Sequence, residues 1–293
     1  MKILLTGASG QLGWELRRTL APLGNVLTLT RQQLDLAQPE SLRSAVTALA
    51  PDLIVNPAAY TAVDRAESDA ALAEAVNADA PRELAQIAAQ RGIPLVHFST
   101  DYVFDGTQST PYSESDLPNP LGVYGASKRA GELAVQAAGG SHLILRTSWV
   151  YGLRGNNFLR TMQRLARERE SLSVVNDQWG APTWSRLLAE ATALVVARWL
   201  MHADRAATSG VYHLSCGGRT NWHEFAAAIL EDLRRRGERV ATLAAIPTTS
   251  YPTAAVRPAQ SLLDNTLIAE TFGVRLPDWE TALALCLEQD LLQ

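Results

Sequence analysis

The sequence predicts an α/β protein, a doubly wound parallel sheet with a smaller, interleaved C-terminal lobe. Three observations carry that prediction. Short apolar runs (Lys2–Thr6, Val26–Thr30, Asp52–Asn56, Pro94–Ser99, His142–Thr147) alternate with stretches that read as helices, the pattern of βαβ units. The first run meets a glycine loop, Gly7-Ala8-Ser9-Gly10-Gln11-Leu12-Gly13, which leads straight into an apolar helix. The 293 residues exceed a typical single domain yet hold no repeat or low-complexity linker, so the lobes are expected to interleave.

Composition narrows the function classes. Hydrophobic residues make up 47% and charged residues 19%, a globular balance that excludes disorder. The net charge is −4 and the basic residues are scattered, so neither a nucleic-acid patch nor a polybasic membrane anchor is expected. Cys216 and Cys286 stand far apart, without the spacing of a disulfide framework or a zinc site. The N-terminus enters a strand at once and lacks signal-peptide regions. The longest apolar run, 191–197, is too short to span a bilayer. A cytoplasmic protein is expected.

The first 150 residues read as a Rossmann-type NAD(P)-binding domain, and 151–293 mainly as a substrate-binding lobe. Segments within roughly 203–240 are candidates to return to the sheet. The glycine spacing suits a tight turn, close backbone approach to a pyrophosphate, and a helix N-terminus facing the anion, so Gly7, Gly10, Gln11, Leu12 and Gly13 are cofactor candidates. After the second strand no acid follows until Asp35, and Arg31 stands first. A guanidinium there can pair with a 2′-phosphate, which favours NADPH, with NADH as the alternative. Asp35 and Leu36 are placed against the adenine. Small residues after the third strand, Ala58-Ala59-Tyr60, let a cofactor pass close to the backbone.

The middle of the chain supplies the chemistry. Val63–Gln90 reads as a long Ala-rich helical stretch, and the strand after it ends at Thr100, where a hydroxyl can hydrogen-bond a substrate oxygen. His97 falls inside that strand and is expected to be a satisfied core histidine. After a loop, Tyr124 and Lys128 lie one helical turn apart, and an ammonium beside a phenol is expected to pull the phenol pKa down towards working pH. That pair suits general acid or base work on an alcohol or carbonyl oxygen. Alone, such short spacing describes a solvated helix face; the glycine loop and the strand end give it context.

The glycine loop, STDYVF, YGASK, LRTSWVYG and NNF, in this order, resemble the extended short-chain dehydrogenase/reductases. NNFLRTM, NDQWGAPT and the PTTSYPT segment narrow the resemblance to the dTDP-4-dehydrorhamnose reductases, across essentially the whole chain. The resemblance implies reduction of a dTDP-linked 4-keto-6-deoxy sugar, with Tyr124 as acid, Thr100 orienting the carbonyl and Lys128 also holding the nicotinamide ribose. Thr100, Asp101, Trp149, Asn157 and Arg257 are the substrate candidates, amide and aromatic groups suiting sugar hydroxyls and faces. Around Arg257 the sequence AVRPAQSLLD departs from the family pattern and leaves the diphosphate contacts open. Some members are dimers bridged by a metal; Glu15 matches one ligand, but Arg186 stands where an acid is wanted, which weighs against Mg²⁺. A monomer or homodimer is expected, with no nucleic acid or membrane as partner. A nucleotide-sugar epimerase or dehydratase with retained NAD is the nearest alternative; a non-catalytic subunit like that of methionine adenosyltransferase is the other. From Asn156 onwards helices are expected at 156–170, 184–202, 222–236, 262–272 and 278–291, with extended segments at 172–175, 211–215 and 243–247.

Overall fold

The structure is a computed structural model and describes residues 1–290. Leu291, expected to end the last helix, and the final residues of the second lobe lie outside the described residues. Five strands, β1 (Lys2–Leu5), β2 (Asn25–Thr28), β3 (Leu53–Asn56), β4 (Leu95–Thr100) and β5 (His142–Thr147), follow the predicted runs closely. With Gly210–His213 they form one parallel six-stranded sheet, in the order Gly210–His213, β5, β4, β3, β1, β2.

Parallel strands are covered on both faces, so they read as continuous apolar runs. Within them the side chains still alternate. Ile3, Leu5, Leu53 and Val55 face the helices Gln11–Thr19 and Ser185–Met201 through Leu16 and Leu188. Leu4 and Ile54 face the helices Pro39–Leu49 and Ala80–Arg91 through Leu42 and Leu84. Each such leucine, wholly buried, contributes about 1.5–3 kcal/mol of transfer free energy. Winding reverses between β1 and β3, and the crevice at their carboxyl ends is where an open α/β sheet receives a ligand.

Two helices differ from expectation. The stretch from Val63 is broken into Val63–Ala66, Ala70–Glu74, a π-helical turn at Ala75–Asp79 and Ala80–Arg91. Ser68 Oγ donates to the Arg65 carbonyl and Asp69 accepts from the Tyr60 hydroxyl, so both short side chains serve contacts other than a continuous helix. The expected helix at 262–272 forms only over Thr266–Phe272. Upstream, the Tyr112 amide donates to the Leu262 carbonyl at 2.8 Å and holds that backbone extended against 112. Tertiary pairing overrides local propensity there. Ser171–Val175 and Thr242–Ile246 pair in parallel as a separate two-stranded sheet.

Candidate active site

The glycine loop is shaped by close approach. Gly7 adopts φ +56°, and a Cβ there would stand 2.9 Å from Ala58 Cα. A Cβ at Gly13 would come within 2.1 Å of the Gly7 carbonyl oxygen. The Gly10 amide closes the turn onto that same oxygen at 2.9 Å, and the helix begins at Gln11 with no side-chain cap and no acidic residue in its first turn. Its leading N–H groups are therefore available to an anion. Gln11 and Leu12 occupy that first turn, and Ala58 packs directly on the loop. The residues present fit the pyrophosphate of a dinucleotide.

Around this cradle, Arg31 is exposed in the turn after β2. Asp35 accepts the Ala37 amide at 3.1 Å, and Leu36 rests half-buried beside the Leu4–Ile54 cluster. Tyr60 is fixed by Asn77, which accepts its amide at 2.8 Å and donates to its carbonyl at 3.1 Å. Asn77, wholly buried in the π-helical turn, also donates to Ser127 Oγ at 3.0 Å. One amide thus joins the loop after β3 to the helix Val123–Ala137. Sequence reading missed it, because a single Asn in an Ala-rich helical stretch carries no periodic signal.

That helix brings the chemistry together. A Cβ at Gly125 would fall 2.1 Å from the Tyr102 carbonyl oxygen, so the glycine lets the helix lie directly on the turn Asp101–Val103. Tyr124 then meets the end of β4. Thr100 Oγ1 donates to Asp101 Oδ1 at 2.9 Å and accepts the Tyr102 amide at 3.2 Å. Tyr102 meets the Tyr124 ring edge-on, centroids 5.7 Å apart. Lys128 is buried and its Nζ donates to the Phe98 carbonyl at 2.6 Å.

Electrostatics correct one expectation. Burial pushes the Tyr124 phenol up to about 12, with the Asp101 carboxylate adding and the Thr100 hydroxyl opposing. Lys128 does not offset this; burial brings its own ammonium down to about 8 against the pull of Glu132. Tyr124 is therefore a neutral phenol at pH 7 and not a phenolate. Asp101 is pushed up to about 7 by burial, with the Ser261 and Thr100 hydroxyls opposing. Glu132 receives Arg146 at two 2.7 Å contacts and Arg129 at 2.7 Å.

The substrate candidates divide. Trp149 holds φ +45° and stacks on Trp222, centroids 3.6 Å apart and planes 3° from parallel. Trp222 was not anticipated; it comes 73 residues later and meets Trp149 only through folding. Asn157 is committed elsewhere. It donates to Gln11 Oε1 at 2.9 Å and to the Gly152 carbonyl at 2.8 Å, and it caps the helix Phe158–Glu168 by accepting the Arg160 amide. It ties the first turn of the glycine-loop helix to the start of the helix Phe158–Glu168. Arg257 is held bidentately by Asp64, and the segment 255–258 closes a small recess against Tyr102, Gly122 and Tyr124. Trp184 is buried in the main core. Burial raises the Glu15 carboxyl, and Glu190 adds to this, yet Glu190 accepts from Arg186 at 3.0 Å. Among the described residues no three acidic, His or Cys groups gather to hold a metal.

The chain is similar over its whole length to proteins of one family. A family model described as the RmlD substrate binding domain matches residues 1–292. A dTDP-4-dehydrorhamnose reductase of Burkholderia thailandensis is 52% identical over 100% of this chain and 99% of its own length. That of Escherichia coli is 45% identical over 99% and 98%. Among solved structures, a Bacillus anthracis dTDP-4-dehydrorhamnose reductase in complex with NADP superposes with a TM-score of 0.89 at 35% identity, covering 98% of this chain and 99% of that one. A UDP-glucose 4-epimerase of Thermus thermophilus, with a TM-score of 0.76 at 22% identity, shares the fold. The chain belongs to the RmlD family, the dTDP-4-dehydrorhamnose reductases.

Proposed function

We propose that this enzyme reduces the C4 ketone of dTDP-4-dehydro-β-L-rhamnose to give dTDP-L-rhamnose, with NADPH as reductant. The observation that carries the reading is Tyr124, a neutral phenol, gathered with Thr100 and Lys128 at the end of β4, with β3 between it and the strand that feeds the glycine loop. With its pyrophosphate in that loop, the reduced dinucleotide would supply the hydride. The backbone of Gly7 to Gly13 would hold its phosphates, Ala58, Ala59 and Tyr60 would border it, and Arg31 with Asp35 and Leu36 would meet the adenosine end. Lys128 would hold the nicotinamide ribose.

Tyr124 gives its proton to the ketone oxygen as the C–H bond forms, leaving a phenolate. Thr100 steadies that oxygen through its hydroxyl. In the complex with cofactor and substrate the Lys128 ammonium, one turn away, would stabilise the phenolate as it forms, an effect absent from the unliganded site. Trp149 offers an aromatic face to the sugar or base, Asp101 a buried carboxyl beside Thr100, and Arg257 a cation for the diphosphate once released from Asp64. No helix among the described residues is long and apolar enough to cross a membrane, and we place the enzyme in the cytoplasm as a monomer or homodimer. The test is NADPH oxidation with the 4-keto-rhamnose nucleotide generated in situ. Turnover of another nucleotide sugar without added cofactor, and none here, would replace the reductase with an epimerase or dehydratase.

A further inference from the structure

His97 lies in β4, three residues before Thr100, with its whole side chain buried. Its Nδ1 is 3.1 Å from the Asn56 amide nitrogen, and its Nε2 is 3.5 Å from Lys128 Nζ. Asn56 in turn accepts from the Thr6 hydroxyl at the foot of the glycine loop. A line of buried polar side chains thus runs beneath the crevice, Thr6 to Asn56 to His97 to Lys128. A leucine would fill the space without the cost of desolvating an imidazole.

Burial and the Lys128 charge keep His97 neutral, its pKa well below the ordinary range. A neutral imidazole has one bare nitrogen and one N–H, whereas an ammonium offers only hydrogens. While Lys128 is charged, the bare nitrogen is Nε2, and the Nδ1 hydrogen needs the Asn56 amide oxygen. When Lys128 is neutral, its lone pair takes the Nε2 hydrogen, and Nδ1 accepts from the Asn56 amide nitrogen. Turning over one amide lets the ring serve either state.

We propose that His97 is a positioning residue that holds the Lys128 amine in line with the Phe98 carbonyl and steadies its charge, tying it to the glycine loop through Asn56 and Thr6. Any effect on turnover rests on the reductase reading; the contact itself does not. The other groups that bear on Lys128 are Glu132 one turn on, engaged by Arg146 and Arg129, and Tyr124 one turn back, with Asp101 beyond it.

The chain contains two lysines, Lys2 and Lys128, so ¹⁵N-lysine labelling yields two side-chain signals, with exposed Lys2 as internal reference. Wild-type Lys128 should titrate near 8. In His97→Leu the lost acceptor lowers that midpoint by about one unit, and kcat falls about tenfold while NADPH affinity holds. His97→Gln, whose amide oxygen can face the amine, largely restores both. His97→Asn is too short to reach Lys128 and should behave like the leucine variant; it decides the matter if that variant does not fold. An unchanged Lys128 midpoint in either folded variant overturns the proposal, whatever kcat does. A shifted midpoint together with no NADPH turnover by the wild type sinks the reductase reading and leaves the contact standing.

Discussion

Arg257 grips Asp64 with both terminal nitrogens, Nη1 to Oδ1 at 3.0 Å and Nη2 to Oδ2 at 2.7 Å, across 193 residues of chain. Asp64 also accepts the Ala255 amide at 3.2 Å, so one carboxylate fastens the segment that covers the recess beside Tyr124. The pair is partly exposed, so its stabilisation is limited to about 1 kcal/mol. Arg257→Ala should leave the melting temperature nearly unchanged and raise KM for the nucleotide sugar about tenfold, the scale of one lost charged contact. Asp64→Ala frees the guanidinium and should not raise KM. Equal rises in both variants would mean that the pair only closes the lobes, and would remove Arg257 from the substrate site.

Tyr124→Phe removes the proton donor without disturbing the ring's edge-on contact with Tyr102. Turnover should fall by roughly 10²–10⁴, the usual contribution of a general acid, while the NADPH dissociation constant stays within about twofold. Near-normal kcat in this variant would end the assignment.

Gly13→Ala tests the cradle. Its methyl would collide with the Gly7 carbonyl at 2.1 Å, backbone that cannot move without opening the turn. Fluorescence titration should show NADPH affinity weakened at least about tenfold, with a lower melting temperature, because loop and helix must separate. Wild-type affinity would place the dinucleotide elsewhere.

Asp101 makes stability depend on pH with a defined sign. Its folded pKa of about 7 lies above the ordinary 3.8, so the folded state binds the proton more tightly. That stabilisation is complete below 3.8 and is lost as pH rises to about 7. Asp101→Asn cannot ionise. The melting temperature of the wild type relative to this variant should therefore decline between those limits; a constant difference would show that the carboxyl is not desolvated in solution.

Much of this was legible from residues in order. The strands are short and covered on both faces, so each appears as an apolar run bounded by turn residues, and β5 matched from His142 to Thr147. Helix interruptions were not legible, since Ser68 and Asp69 answer to contacts with Arg65 and Tyr60 that no periodicity reports.

What the sequence determined by itself was the α/β sheet, the glycine loop, and the candidate trio Thr100, Tyr124 and Lys128, because each follows from local spacing and strand-end logic. Only the tertiary structure decided partners and charge states. It assigned Asn157 to Gln11 and Arg257 to Asp64, and it paired Trp149 with Trp222. It also placed His97 against Lys128 and made Tyr124 a reluctant acid where adjacency to Lys128 had suggested a ready phenolate. The reason is physical: a pKa or a hydrogen bond depends on what burial removes and which distant groups arrive. Helical spacing places two side chains on one face, but the fold decides what stands between them.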